Sequence, residues 1–167
     1  MATLYLVRHA IAAERGPDYP NDDERPLTRR GRERMKAAVD GWRTLKPAID
    51  VILTSPLVRA QETTDIVRQG LGGKVRVDRC DALAPGHRPE DVAAALGHVK
   101  GATNVALVGH EPDLGLLAAW LIGAKEAPVF KKGGIARIDA PSLPPAQNGH
   151  LEWLATPRML RGLRDHN

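Results

Sequence analysis

Residues 4–10 read Leu4-Tyr5-Leu6-Val7-Arg8-His9-Ala10, a short apolar run that stops at an arginine and a histidine with a small residue behind them. Four consecutive apolar residues suit a strand buried on both faces, as in a parallel sheet covered by helices. The polar pair then falls at the C-terminal end of the strand, the edge where open α/β sheets bind their ligands. Arginine presents a planar fork that fits phosphate or carboxylate, and histidine serves as nucleophile or base near neutral pH. The expectation is that other segments bring further groups to this edge.

Two later segments repeat the arrangement. Val51-Ile52-Leu53 is a second buried-strand candidate, closing on Thr54-Ser55-Pro56. Ser55 as N-cap with Pro56 at the first helical position predicts a helix from Leu57 to Leu71, stopped by Gly72-Gly73. Arg59 then lies in the first turn, where the helix dipole disfavours a cation unless an anion sits in front of it. Val105-Ala106-Leu107-Val108 breaks at Gly109-His110-Glu111-Pro112, and Leu114, Leu117, Ala118 and Leu121 mark the buried face of the helix that follows, as far as Gly123. His110 thus takes a place like that of His9, just past a buried strand and in front of a helix.

The connecting segments are less specific. Ala13 to Pro26 is rich in Pro, Gly, Asp and Arg and reads as a long surface loop leaving the Arg8-His9 end of the first strand. Arg15 and Arg25 read foremost as solvated loop charges, with anion binding as the alternative. Thr28 is a plausible N-cap for a helix whose core face is Met35, Ala38, Val39, Trp42 and Leu45, ended by Pro47. Its Arg29, Arg30, Arg32, Arg34 and Lys36 suit a solvated face, or a docking patch for an acidic partner. Val75-Arg76-Val77 is a short strand candidate, and Val92 to Leu96 a short helix led by Glu90-Asp91. Beyond Gly133-Gly134, Ile135 to Asp139 and Leu151 to Ala155 are strand candidates expected to pair antiparallel. A basic C-terminal segment from Pro157 suggests a short helix.

Composition narrows the classes. At 167 residues the chain is long enough to bury a substantial core, and no repeat or boundary divides it, so a single domain over 1–167 is expected. Its one cysteine, Cys80, excludes an intrachain disulfide and reads as a packing residue. The N-terminal apolar run is too short for a signal peptide and Leu114 to Ile122 too short for a membrane span, so the expected location is the cytoplasm with no membrane contact. A net charge of +4 leaves room for an anionic substrate. Sparse aromatics argue against nucleic acid.

Two arginines and two histidines meeting at one sheet edge suit a dianionic tetrahedral group, held by guanidinium forks and helix N–H donors. Phosphoryl transfer needs this equipment. The sequence resembles the histidine phosphatase (phosphoglycerate mutase-like) superfamily. The resemblance rests on Leu6-Val7-Arg8-His9-Ala10, on Thr54-Ser55-Pro56-Leu57-Val58-Arg59-Ala60-Gln61-Glu62-Thr63, and on Leu107-Val108-Gly109-His110-Glu111-Pro112. Pro26-Leu27-Thr28-x-x-Gly31 matches the family's first helix start. The ordered trio spans essentially the whole chain, and the Ser-Pro-x-x-Arg-Ala-x-x-Thr segment is its most specific part. The expected fold is a three-layer α/β/α sandwich with a mostly parallel central sheet and antiparallel strands near the C-terminus.

The resemblance implies that His9 is the nucleophile and passes through a phosphohistidine intermediate. It implies that Arg8, Arg59 and His110 hold the phosphoryl oxygens with the Glu111 backbone N–H, and that neither metal nor other cofactor is needed. Many members have Gly where this chain has Ala10. Members acting on alkyl phosphates usually carry an acid in an inserted segment after the second helix, and that region, Arg79 to Pro89, is short here, with Asp81 its only acid. Glu111 is the other candidate proton donor. Small size and Val-Arg-His-Ala look most like the SixA-type branch, which removes phosphate from phosphohistidine on proteins such as histidine-phosphotransfer domains. The expected activity is therefore a monomeric protein phosphohistidine phosphatase. The alternatives are a phosphatase of small phosphorylated metabolites and a non-catalytic phosphate- or phosphoprotein-binding module.

Overall fold

In the computed structural model, which describes residues 1–165, alternate side chains of β1 (Ala2–Arg8) enter opposite cores. Leu4 and Leu6 join one apolar cluster, and Tyr5 and Val7 join the other. All four are buried, because β1 lies in the middle of a six-stranded sheet with helices on both faces. The strands run in the order β3-β2-β4-β1-β5-β6, with β2 at Val51–Thr54, β3 at Arg76–Arg79, β4 at Asn104–Gly109, β5 at Ile135–Ala140 and β6 at His150–Ala155. The β1/β4, β2/β4 and β2/β3 pairs are parallel, whereas β5 pairs antiparallel with both β1 and β6. The expected layering and strand directions hold. The first strand itself marks the change, parallel on one side and antiparallel on the other.

Helices α1 (Arg29–Arg43), α2 (Val58–Gly70) and α5 (Pro157–Arg164) cover the Tyr5/Val7 face, and α3 (Pro89–Leu96) and α4 (Asp113–Ile122) cover the other. Thr28 caps α1 as expected, its Oγ1 accepting from Gly31 N at 2.9 Å. Met35, Ala38, Val39 and Trp42 are buried, and Trp42 meets Tyr5 edge-on with ring centroids 5.2 Å apart. Leu45 departs from the expected stripe. The helix ends at Arg43, two residues before it, and its side chain is 48% exposed. Cys80 is free and buried, in keeping with a packing role.

Two glycines set close approaches. A Cβ on Gly31 would fall on the Ile11 carbonyl oxygen, and one on Gly41 would fall on that of Leu160, so α5 seats directly on the backbone of α1. Gly41→Ala gains about 1 kcal/mol of helix propensity against roughly 3 kcal/mol of overpacking. The expected outcome is a net loss of about 2 kcal/mol, read as a lower urea midpoint with an unchanged m-value.

Candidate active site

The C-terminal ends of β2, β4 and β1 are adjacent in the sheet, so the segments that leave them emerge side by side. His9 N donates to Gly109 O at 3.1 Å, tying the end of β1 to the end of β4. Ser55 N donates to Val108 O at 3.0 Å, tying β2 to the same strand. Thr63 joins α2 to this edge, its Oγ1 accepting from Ala10 N at 3.0 Å and donating to Arg59 O at 2.7 Å. A cleft of about 360 Å³ opens there, lined by Arg8, His9, Arg59, His110 and Glu111. All five residues singled out in the sequence meet in one place. Arg15, Arg25, Asp22 and Lys132 also line it.

His9 Nδ1 lies 2.7 Å from the carbonyl oxygen of Ala10. A carbonyl oxygen only accepts, so Nδ1 carries the proton and Nε2 keeps its lone pair. Burial lowers the pKa of His9 from 6.5 to about 4, helped by the charges of Arg59, Arg8 and Lys132 and opposed by the Ala10 hydrogen bond. The ring is neutral at cellular pH. The His110 ring sits 5.1 Å from it between centroids, tilted by 50°. Burial, then the neighbouring His9 and Arg59, lower the pKa of His110 to about 3.

Ser55 fills a role other than the expected cap. The N-cap of α2 is Leu57 and makes no side-chain cap bond. Ser55 Oγ instead lies 2.7 Å from His110 Nε2 and accepts from Leu57 N at 3.3 Å. Whichever partner carries the proton, the contact fixes the plane of the His110 ring. Arg59 still lies in the first turn of α2, as expected.

The guanidinium groups are held in place with donors to spare. Arg8 Nη1 donates to Phe130 O at 2.7 Å. Arg59 donates from Nη1 to Asp22 O at 2.8 Å and from Nη2 to the Asp22 carboxylate at 3.1 Å. Each guanidinium has five N–H donors, so most remain available. Arg8 Nε, Arg59 Nε and His110 Nδ1 are buried without a partner among the described residues, an imbalance worth about 1–3 kcal/mol per group until a ligand relieves it.

Asp22 was not singled out by the sequence, although it stands in the acidic run Asp22-Asp23-Glu24 of an arginine-flanked loop. The loop makes one short 3₁₀ turn at Asp22–Glu24, and the Asp22 carboxylate pairs with Arg15 at 2.9 Å, Arg25 at 2.8 Å and Arg59 at 3.1 Å. Burial raises its pKa, but the Arg25 hydrogen bond and the three arginine charges outweigh that and hold it below the usual range. Asp22 is an anion that organises these arginines, and it draws Arg15 and Arg25 to the cleft wall. Lys132, just before Gly133-Gly134, was missed for want of any motif around it.

The two acids proposed as proton donors separate. Asp81 is exposed and paired with Arg79 at 2.8 Å, away from the cleft lining. Glu111 lines the cleft, and burial raises its pKa against the pull of the Phe130 amide and Arg8. The Glu111 N–H makes no backbone hydrogen bond among the described residues. No group of three or more His, Cys, Asp or Glu among them is arranged to hold a metal ion.

The two depressed histidines make stability pH-dependent. Unfolded, a histidine titrates near 6.5; folded, His9 and His110 titrate near 4 and 3. Below pH 6.5 the unfolded chain binds more protons, so stability falls as pH drops through this window and is unaffected above it. Each histidine is expected to account for roughly 2 kcal/mol between pH 7 and pH 4.5. Urea unfolding at the two pH values measures the loss, and His9→Ala is expected to shrink it.

Comparison with known proteins agrees with this geometry. Residues 4–84 match the sequence pattern of the histidine phosphatase superfamily (branch 1). An uncharacterized protein of Picosynechococcus sp. is 40% identical over 149 residues, covering 82% of this chain and 88% of the relative. Phosphohistidine phosphatase SixA of Escherichia coli is 28% identical over 160 residues, covering 95% and 96%. The solved structure of the protein histidine phosphatase SixA complexed with tungstate superposes with a TM-score of 0.82 at 26% identity, covering 93% of this chain and 97% of that one. Motif order, fold and site together place this chain in the histidine phosphatase superfamily, as a homologue of the phosphohistidine phosphatase SixA.

Proposed function

We propose that this protein removes phosphate from phosphohistidine carried on another protein, through a phosphohistidine intermediate on His9. The observation that carries the reading is the His9 tautomer: Nδ1 is committed to the Ala10 carbonyl, leaving Nε2 as the nucleophile in a cleft walled by arginines. A neutral imidazole at cellular pH needs no general base to attack. In the first step the Nε2–phosphorus bond forms and the substrate's nitrogen–phosphorus bond breaks. The bond electrons return to the leaving imidazole, which departs neutral when its other nitrogen is protonated. In the second step water attacks phosphorus, Nε2 recovers its lone pair, and inorganic phosphate is released.

The spare N–H groups of Arg8 and Arg59 and the Nδ1 of His110 bind the phosphoryl oxygens, and charge spreading onto those oxygens strengthens the contacts in the transition state. The dianion also raises the pKa of His110, making it a better donor once substrate is bound. Glu111 is the proton-carrying group of the cleft, since burial keeps its carboxyl protonated to higher pH than a free glutamate. The relation to SixA supports a phosphohistidine substrate, and the arginines and Lys132 of the cleft supply the positive charge that the phosphoryl group meets.

The test is a substrate panel in which a phosphohistidine protein competes with sugar phosphates and nucleoside monophosphates. The phosphohistidine protein is expected to show the highest kcat/KM. Faster turnover of a monoester would assign the site to small phosphorylated metabolites, and tight phosphate binding without any turnover would make it a binding module.

A further inference from the structure

A second cavity, larger than the phosphate cleft at about 570 Å³, runs between the start of α1, the 131–133 segment and the start of α5. Arg34, Lys131, Lys132, Arg158 and Arg161 surround it, and Ile11 and Pro157 supply apolar surface between them. Among the described residues, none of those lining it is acidic. Arg8 and Lys132 line both this cavity and the phosphate cleft, so the two are continuous.

Clustering of cations at this density is not what a merely solvated face shows. Elsewhere on α1 the cations are paired, Arg29 with Glu33 at 3.0 Å and Arg32 with Glu62 of α2 at 2.8 Å. On the groove side, Arg34, Arg158 and Arg161 form no ion pair among the described residues. Arg161 is half-buried, and burial together with the charges of Arg34, Arg158, Arg164 and Arg30 pushes its pKa down. Uncompensated repulsion of this kind destabilises the free protein and is relieved by an anionic occupant.

We infer that this groove is the docking surface for an acidic segment of the phosphoprotein, next to its phosphohistidine; the inference rests on the proposed protein substrate. Carboxylates of the segment meet the arginine rim while their aliphatic stems lie along Ile11 and Pro157. The shared Arg8 and Lys132 put the phosphohistidine into the cleft when its neighbours occupy the groove. A nucleic acid fits less well, because among the described residues no aromatic side chain lines the groove to stack on a base. A second copy of this chain, at net charge +4, is repelled.

The test uses the full chain and three probes prepared with phosphoramidate. Two are peptides of equal length with one phosphohistidine each, flanked by glutamates in the first and glutamines in the second; the third is free phosphohistidine. The wild-type chain is expected to show kcat/KM about tenfold higher for the glutamate peptide at low salt, a preference that disappears near 1 M salt, where the screening length is about 3 Å. Arg34→Glu combined with Arg158→Glu, both exposed positions, is expected to abolish the preference while free phosphohistidine is hydrolysed at the wild-type rate. That last arm also shows that the variant is folded. Turnover of both peptides at equal rates by the wild type, or a preference that survives in the variant, overturns the docking surface and leaves the activity standing. Failure of the wild type to hydrolyse any phosphohistidine probe overturns the activity and the docking surface together. Stronger inhibition by a DNA oligonucleotide than by the unphosphorylated glutamate peptide reassigns the groove to nucleic acid.

Discussion

Replacing His9 by alanine is expected to lower turnover of a phosphohistidine protein by about 10⁴-fold or more, the scale on which loss of a covalent nucleophile is felt. The loss should fall on kcat, since Arg8, Arg59 and His110 still bind the phosphoryl group. Nothing else in the cleft substitutes for the missing imidazole. His110 is the nearest alternative, but its Nε2 is engaged by Ser55 Oγ at 2.7 Å, and its Nδ1 is the donor assigned to a phosphoryl oxygen. The structural cost of the change is separable from the chemical one. His9 is only 7% exposed, and its removal leaves a small void; at pH 7 the ring is largely neutral folded or unfolded, so no protonation change adds to that cost. A variant that melts near the wild-type temperature at pH 7 and is inactive is the expected pairing, checked by circular dichroism beside the activity assay.

Arg59→Ala is expected to cost about 10²–10³ in kcat/KM, the range for removal of one strong donor to a developing charge. Competitive inhibition by inorganic phosphate should weaken in step, because Arg59 contacts bound anion as well as transition state. Asp22 is the second casualty. Its backbone oxygen and its carboxylate both accept from Arg59, so the alanine variant frees the 22–24 turn from α2. Arg59→Lys separates the two effects. A lysine keeps the charge beside Asp22 and loses the fork that reaches two acceptors at once, so it is expected to recover the inhibition by phosphate only in part. Equal activity of the lysine variant and wild type would show that charge alone is required of this position.

Much of this was legible in the residues. The strand ends at Arg8-His9 and Gly109-His110 are marked by abrupt changes from apolar to polar, which periodicity detects directly. Arg59 was legible because a cation in the first turn of a helix contradicts the dipole, and the contradiction itself pointed to a ligand. Leu45 was misplaced for a local reason: the helical spacing continues past the point where Thr44 closes the helix, so a stripe read by spacing overruns the end. Ser55 was misread because Ser-Pro is a strong helix-start signal, while the structure spends the hydroxyl on His110 and starts the helix two residues later. Its partner is 55 residues away, and no local pattern carries that information. Asp22 and Lys132 were missed for the same reason, as loop residues whose meaning comes from arginines and histidines supplied by other elements.

The departures share a cause. Sequence patterning describes which face of an element is buried, whereas tautomer, ring plane and arginine orientation depend on contacts between the ends of different strands. The Nδ1 contact of His9 is the sharpest instance, since it turns a histidine in the right place into one with a defined lone pair.

The most direct test of the account is to mix the enzyme with a ³²P-labelled phosphohistidine protein and quench within milliseconds in alkaline denaturant, in which a nitrogen–phosphorus bond survives. Label is expected on Nε2 of His9, formed no more slowly than inorganic phosphate is released and absent from His9→Ala. Release of phosphate with no label on His9, or label that persists in His9→Ala, would contradict it.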